Sequence, residues 1–343
     1  MNYSSSASKF MFVLISIQLL LSATPTIAAA TNTISSTKES IVMDRISKQP
    51  PNDPKEWALA IGQKTPPAPA SLQSIAESTV KQLSAQPSFT SWEKSQLAYF
   101  PLGPGTHSWL VTLSTDQQEL GYLIFTAKDN HSNEYILSEY GDQSSVPYHL
   151  SALFQTLEQS DLISLSSEIA YPSKVEPLYT PLLPIWKITL GGQESIYLNA
   201  LTLDILPWDN AHFQDLNLDT KFNAVQFSSK EPTYTSSLAI SFHGETDPLL
   251  NMNWIIEPRL SLKTDLDVVN YLEKNNNLIF TSPNRNDDIG GPFAISGFQQ
   301  WTSAKKNPSQ LTIYAGTGLT GQRYLPLSIL RDKGEFRAFP KQQ

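Results

Sequence analysis

The chain has 343 residues, of which 40% are hydrophobic and 10% aromatic, enough to bury a real core in two or three domains. Only 16% are charged and the formal charge is −8, which argues against a broad basic face for nucleic acid. With no cysteine anywhere, disulfides, thiolate metal sites, cysteine nucleophiles and a lipidated cysteine anchor are excluded.

Residues 1–30 read as a secretory signal peptide. Lys9 is the lone positive charge. An apolar run from Phe10 to Leu21 follows, interrupted only by Ser16 and Gln18, and Pro25 breaks it. Small residues then allow cleavage after Ala28 or Ala30. The run is too short to span a bilayer, so it is expected to be removed. No other stretch approaches 18 apolar residues. The mature chain is therefore expected to be soluble and extracellular or associated with the cell wall. A secreted protein of this size without disulfides points to a bacterial exoprotein, most often a Gram-positive one.

Residues 31–70 hold Pro50, Pro51, Pro54, Pro66, Pro67 and Pro69 and read as an exposed linker, with Trp57, Leu59 and Ile61 able to dock onto the body. A first module spans 71–145. Leu72, Ile75, Ala76, Val80 and Leu83 recur at helical spacing, with Ser71 and Ser74 as available caps. Four strands follow, around Leu97–Phe100, Trp109–Leu113, Leu120–Thr126 and Glu134–Tyr140, with turn residues between them.

A second module, 146–208, repeats the order. Leu150, Leu153, Phe154 and Leu157 share one helix face. Strands follow at Val175–Tyr179, Ile185–Leu190 and Ser195–Ala200, and the run Leu201–Leu206 continues the last of them. This helix-then-meander order, with the run Ile196-Tyr-Leu-Asn-Ala-Leu-Thr-Leu-Asp-Ile-Leu, resembles the small α+β modules of the PepSY type over roughly 71–208. That resemblance implies an intramolecular chaperone, an inhibitory or a wall-associated module, without a cofactor.

A polar stretch, 209–235, reads as a linker, and a C-terminal antiparallel domain occupies 236–343. Asp265–Leu272 is predicted to be a helix capped by Thr264, with Leu266, Val269 and Leu272 inward. Leu278–Phe280 is a strand, and Ser282–Asp288 a polar loop. Three further strands are expected at Phe293–Phe298, Leu311–Ala315 and Gln322–Leu327. Pro326 puts the last of these at a sheet edge or at its own end. Ser328 is expected to cap a short helix to Lys333, with Gly334 left-handed beyond it. The whole is an α+β architecture: two small helix-plus-antiparallel-meander modules and a C-terminal antiparallel-sheet domain.

Phe293-Ala-Ile-Ser-Gly-Phe resembles the strand reading His-Ala-x-x-x-Gly-Tyr in papain-like peptidases, including the bacteriocin-processing branch. The likeness covers about 247–339. Phe293 occupies the histidine position, and near Asn253-Trp254 no cysteine stands. The resemblance implies a descendant that has lost catalysis and kept binding.

Other motifs read more plainly. Gly316, Gly318 and Gly321 spell G-x-G-x-x-G, but Gln-Arg-Tyr-Leu-Pro-Leu is a poor helix start, so these glycines are read as a hairpin turn. Asp204, Asp209, His212, Asp215 and Asp219 are the densest run of metal-type ligands. Their spacing lacks the alternation and glycine of a calcium loop, so a solvated acidic loop is expected. None of His107, His131, His149, His212 and His243 makes a zinc motif. Ser-x-x-Lys occurs at Ser91–Lys94 and Ser303–Lys306 without companion segments, and no G-x-S-x-G elbow exists.

No catalytic, cofactor or metal residue is therefore named. Trp254, Phe293, Phe298, Trp301, Tyr314 and Tyr324 are the candidates for a ligand groove, against core packing as the plainer reading. The expected function is that of a secreted, non-catalytic binding or accessory protein. Its partner would be a peptide, a glycan or a secreted protein, with no nucleic acid and no membrane after signal cleavage. The alternatives are a hydrolase whose two carboxylates come from distant segments and a propeptide-like protease inhibitor.

Overall fold

The computed structural model describes residues 66–339, apart from 104–107, 117, 129–133, 164–171, 181, 192–193, 217–223, 229–233, 243–246, 304–310 and 319–322. All of these lie in a compact unit, Val42–Gln343. The signal peptide and nearly all of the proline-rich linker fall outside the described residues, as do His107, His131, His243 and Gly321. The protein is α+β.

Helix α1 spans Ala70–Ser84 and buries Leu72, Ile75, Ala76, Val80 and Leu83 on one stripe. Its N-cap is Pro69 and no side chain caps it, so neither Ser71 nor Ser74 does so. A 3₁₀ segment, Pro87–Lys94, leads to a four-strand meander: β1 Gln96–Leu102, β2 Ser108–Ser114, β3 Glu119–Ala127 and β4 Glu134–Asp142. Helix α2, Leu150–Gln159, is followed by β5 Pro172–Thr180, β6 Leu183–Leu190, β7 Ser195–Asn199 and the two-residue β8 Ile205–Leu206. Residues 200–204 turn between β7 and β8, where the sequence suggested continuous strand.

The chain then forms α3 Asn210–Asp215, β9 Gln226–Ser228, β10 Tyr234–Ser236 and β11 Ile240–Ser241. Next come α4 Asp265–Asn275, β12 Leu278–Thr281 and a single turn, α5 Asn286–Ile289. The C-terminal run is β13 Phe293–Ser303, β14 Leu311–Thr317, β15 Arg323–Pro326, α6 Leu327–Lys333 and β16 Glu335–Arg337.

Two sheets result. The larger has the order β1-β2-β3-β4-β15-β14-β13-β12-β16, with β9 beside β4 and β10 and β11 beside β13. The smaller is β5-β6-β7-β8. The stretches read as a first module and as a C-terminal domain thus share one sheet, because β15 pairs with β4 at Arg323–Gly141 and Tyr324–Tyr140. Pro326 ends β15, which lies inside the sheet and not at its edge. The polar stretch 209–235 contributes Ala224, Val225 and Phe227 to the core.

Strand alternation divides the packing. Trp109, Val111, Leu113, Leu123 and Phe125 face α1 in one core, and Leu110, Tyr122 and Ile124 face α2 and the smaller sheet in a second. A third core packs α4 and α6 against β12–β15.

Two local expectations are corrected. In α4 the buried residues are Val268, Val269 and Leu272, while Leu266 is 52% exposed. Thr264 does cap this helix, in a reciprocal box with Asp267. Gly334 has φ −158°, ordinary extended backbone. It is needed there because a Cβ would stand 2.5 Å from both the Phe280 ring and the Thr281 carbonyl.

Candidate functional site

The predicted groove does not assemble. Trp301, Tyr314 and Tyr324 lie in the core beneath α1, Phe298 lies in the third core with Phe293 half-buried against it, and Trp254 packs on Ile279 and Ala294. Pairing of β15 with β4 turns one face of β13–β15 onto the helix of the first module, which removes these rings from solvent. There they form a bonded set. Tyr140 stacks on Tyr324 at 4.9 Å. The Tyr140 hydroxyl donates to Gln299 at 2.6 Å and accepts the Trp301 indole N–H at 3.2 Å. The Tyr314 hydroxyl donates to the Leu137 carbonyl at 2.6 Å.

On the opposite face, Glu139 of β4 is wholly buried. Its carboxylate accepts two bonds from Arg323, at 3.2 and 2.8 Å, one from Tyr122 at 2.8 Å and one from Tyr179 at 3.1 Å. Arg323 also donates to the Leu182 carbonyl at 2.7 Å, in the β5–β6 turn. Burial, and then the Glu139 charge, raise both tyrosines well above their ordinary pKa, so they stay protonated donors. Burial alone would lower the Arg323 pKa, but Glu139 holds it up. A carboxylate with four donors has no lone pair left for a substrate proton. The network therefore joins the two sheets.

His212 has a catalytic look but not the setting. Its Nε2 lies 2.8 Å from Asp288 Oδ1, the other Asp288 oxygen accepts from Arg285 at 2.9 Å, and its ring lies 5.4 Å from that of Trp208. Among the described residues no hydroxyl is bonded to it, so none is held there as an activated nucleophile would be. Asp209, from the predicted acidic run, caps α3, and Asp204 accepts from the Thr202 hydroxyl at 2.6 Å. The Asp215 side chain and Asp219 lie outside the described residues. Among the described residues, no three His, Asp or Glu side chains gather as metal ligands.

Gly318 sits just past β14 with φ +91°, and the chain continues into β15. A strand where the nucleotide motif requires a helix leaves no helix N-terminus for a phosphate. Gly297, the glycine of the peptidase-like strand, has a steric role. A Cβ there would stand 2.4 Å from the Ile240 carbonyl of β11.

A cleft of about 720 Å³ lies between the outer flank of α1, the 3₁₀ segment and β1. Gln73, Glu77, Lys81 and Ser84 of α1 form one wall at helical spacing. Leu97 and Tyr99, two residues apart on β1, line the strand side, and Trp92 and Glu93 lie at the 3₁₀ segment. Burial, and then Glu77, push the Tyr99 hydroxyl up to about 12, so it is a neutral donor at physiological pH.

β1 ends the sheet order, and among the described residues no strand pairs with its outer edge from Gln96 to Tyr99. Farther along, β5 covers the edge. The Gly103 N–H donates to the Pro177 carbonyl and the Tyr179 N–H to the Gly103 carbonyl, both at 2.8 Å. Two signs of this cleft stand in the sequence: a second, polar stripe on α1, Gln73, Glu77, Lys81 and Ser84, and the Leu97–Tyr99 alternation of β1.

Among the described residues no helix is long and apolar enough to cross a membrane. Comparisons with family models, with characterised proteins and with solved structures found no match, so the α+β fold and the cleft stand on their own geometry.

Proposed function

We propose that this protein is a secreted, non-catalytic binding protein that takes an extended peptide segment along the outer edge of β1. The carrying observation is the cleft between the flank of α1 and the outer edge of β1, beside which no strand lies from Gln96 to Tyr99 among the described residues. A strand edge offers a row of N–H and C=O groups that an added strand satisfies, while alternate side chains of the guest drop to one side. Here that side holds Leu97, Tyr99 and Val80. Glu77 and Glu93 outnumber Lys81 at the rim, which favours a guest with basic flanks. The reading agrees with a buried carboxylate, Glu139, that already accepts four bonds, and with a His212–Asp288 pair that has no hydroxyl bonded to it among the described residues.

The test is selection of displayed random peptides on the purified chain, followed by NMR titration of the best binder. The reading expects amide shifts concentrated in Gln96–Phe100 and a loss of binding in Leu97→Asp. Shifts elsewhere with β1 unmoved would sink it. N-terminal sequencing of the protein from culture supernatant tests secretion, with a start at Ala29 or Thr31 expected.

A further inference from the structure

Away from the cleft, residues 248–256 present an unusual surface. Five large aliphatic side chains within eight residues are exposed: Leu249 by 67%, Leu250 by 87%, Met252 by 54%, Ile255 by 50% and Ile256 by 86%. Leu250 and Ile256 are nearly as bare as in an unfolded chain. A monomer rarely leaves such a cluster to water without a use.

The segment is a braced projection. Pro248–Leu250 turn into a 3₁₀ turn, Met252–Ile256. The Asp247 carboxylate accepts the Leu249 N–H at 2.8 Å, and the Asn251 side chain accepts the Asn253 N–H at 3.2 Å. Trp254 points inward and is buried, its indole donating to the Pro248 carbonyl at 2.8 Å. From below, Arg337 donates to the carbonyls of Ile255 and Glu257 at 2.9 and 2.8 Å. These bonds brace the backbone of the turn.

Charge indicates what they meet. Along 247–267 the exposed charged side chains are Arg259 and Lys263, whereas Asp247, Glu257, Asp265 and Asp267 are half-buried. Three of those carboxylates are engaged: Asp247 with Leu249, Asp265 with Arg331 at 2.6 Å, and Asp267 in the α4 cap. Arg259, Lys263 and Arg331 line a groove of about 440 Å³ directly after the projection, and Arg259 stays 69% exposed although its Nε lies 3.7 Å from Glu335. The surface offered is thus aliphatic tips beside two exposed cations, Arg259 and Lys263, on a chain whose net charge is −8.

We infer that residues 248–256 are a membrane-docking prong, inserting aliphatic side chains into the interface of an anionic bilayer while Arg259 and Lys263 meet lipid phosphates. A protein partner fits less well. Interface centres are rich in Trp, Tyr and Arg and poor in Leu, and here the one aromatic is turned away. The sequence-based expectation of no membrane contact rested on the lack of long apolar runs, and a prong needs none.

The experiment is co-sedimentation with vesicles of phosphatidylcholine alone or mixed with phosphatidylglycerol. It uses the full chain beside a chain starting at Thr31, so that binding by Phe10–Leu21 is separated. Both chains should sediment with the anionic vesicles. Leu250→Asp with Ile256→Asp should weaken that binding about tenfold or more, and Arg259→Glu with Lys263→Glu should abolish the preference for anionic lipid. Since the chain has no cysteine, Leu250→Cys carrying an environment-sensitive dye should shift to the blue on the same vesicles. The melting curves of the variants should match wild type, because the altered side chains are exposed. Absence of binding by the Thr31 chain, binding unchanged in the double variants, or a concentration-dependent dimer that Leu250→Asp dissolves would each overturn the inference.

Discussion

Arg323 and Glu139 stand 184 residues apart in sequence and are joined by two guanidinium–carboxylate bonds, both residues nine-tenths or more buried. Removing one partner strands a charge in the interior. Arg323→Met is expected to destabilise the protein by about 3–5 kcal/mol in urea unfolding. The double variant Glu139→Gln, Arg323→Met should recover more than half of that, since the tyrosines can still donate to an amide oxygen. A single variant within about 1 kcal/mol of wild type would show that the pair does not hold the sheets together.

Glu119 and His149 approach to 3.8 Å, yet they are not an ion pair at neutral pH. Burial raises Glu119 from 4.5 to about 7 and lowers His149 below 6.5. Each shift favours the neutral form. Native Glu119 holds a proton that the unfolded chain releases, so its contribution falls as pH rises from about 4.5 to 7. With the side chain 12% exposed, the fall amounts to at most about 3 kcal/mol. His149 acts in the opposite sense, since the unfolded chain takes up a proton that the native one refuses below pH 6.5. Glu119→Gln should therefore leave stability rising with pH near 6, and His149→Gln should leave it falling. Parallel pH profiles for the two variants would contradict the assignment.

Gly121 and Gly318 are glycines for different reasons. A Cβ at Gly121 would stand 2.5 Å from both the Trp92 ring and the Gly141 carbonyl, so Gly121→Ala should destabilise by about 1–3 kcal/mol through overpacking. At Gly318 no heavy atom lies within 4 Å of a Cβ, and only φ +91° opposes a side chain. Gly318→Ala should destabilise by about 1–2 kcal/mol, from the backbone alone. Restoring space with Trp92→Phe should partly rescue the first variant.

Within α4, Thr264→Ala removes the cap oxygen that accepts the Asp267 N–H at 3.1 Å, and should destabilise by about 1 kcal/mol. Leu266→Glu should change stability by less than about 0.5 kcal/mol, because that side chain faces water. A large loss from Leu266→Glu would return it to the core, where the helical spacing had placed it.

For the proposed peptide site, Glu77→Lys together with Glu93→Lys should reduce affinity for a selected basic peptide about tenfold at low salt, and less at high salt. Both carboxylates are exposed, so the melting curve should stay in place. Unchanged affinity would show that the rim does not steer the guest.

Much of the local structure was legible in the sequence. The stripe Leu72–Leu83 located α1, the alternation from Leu97 to Tyr140 located four strands, and Thr264 marked the start of α4. These are short-range effects, set by periodicity, capping and turn residues within a few positions. Tertiary pairing decided the rest. Periodicity carries no information about which strand lies beside β4. That neighbour is β15, and it changed the meaning of Trp301, Tyr314 and Tyr324 from a ligand groove to packing beneath α1. The same pairing brought Glu139 to Arg323 and left β1 at the end of the sheet order, where among the described residues no strand lies beside Gln96–Tyr99. A side chain's burial depends on what the fold sets against it, and that partner can lie more than a hundred residues away.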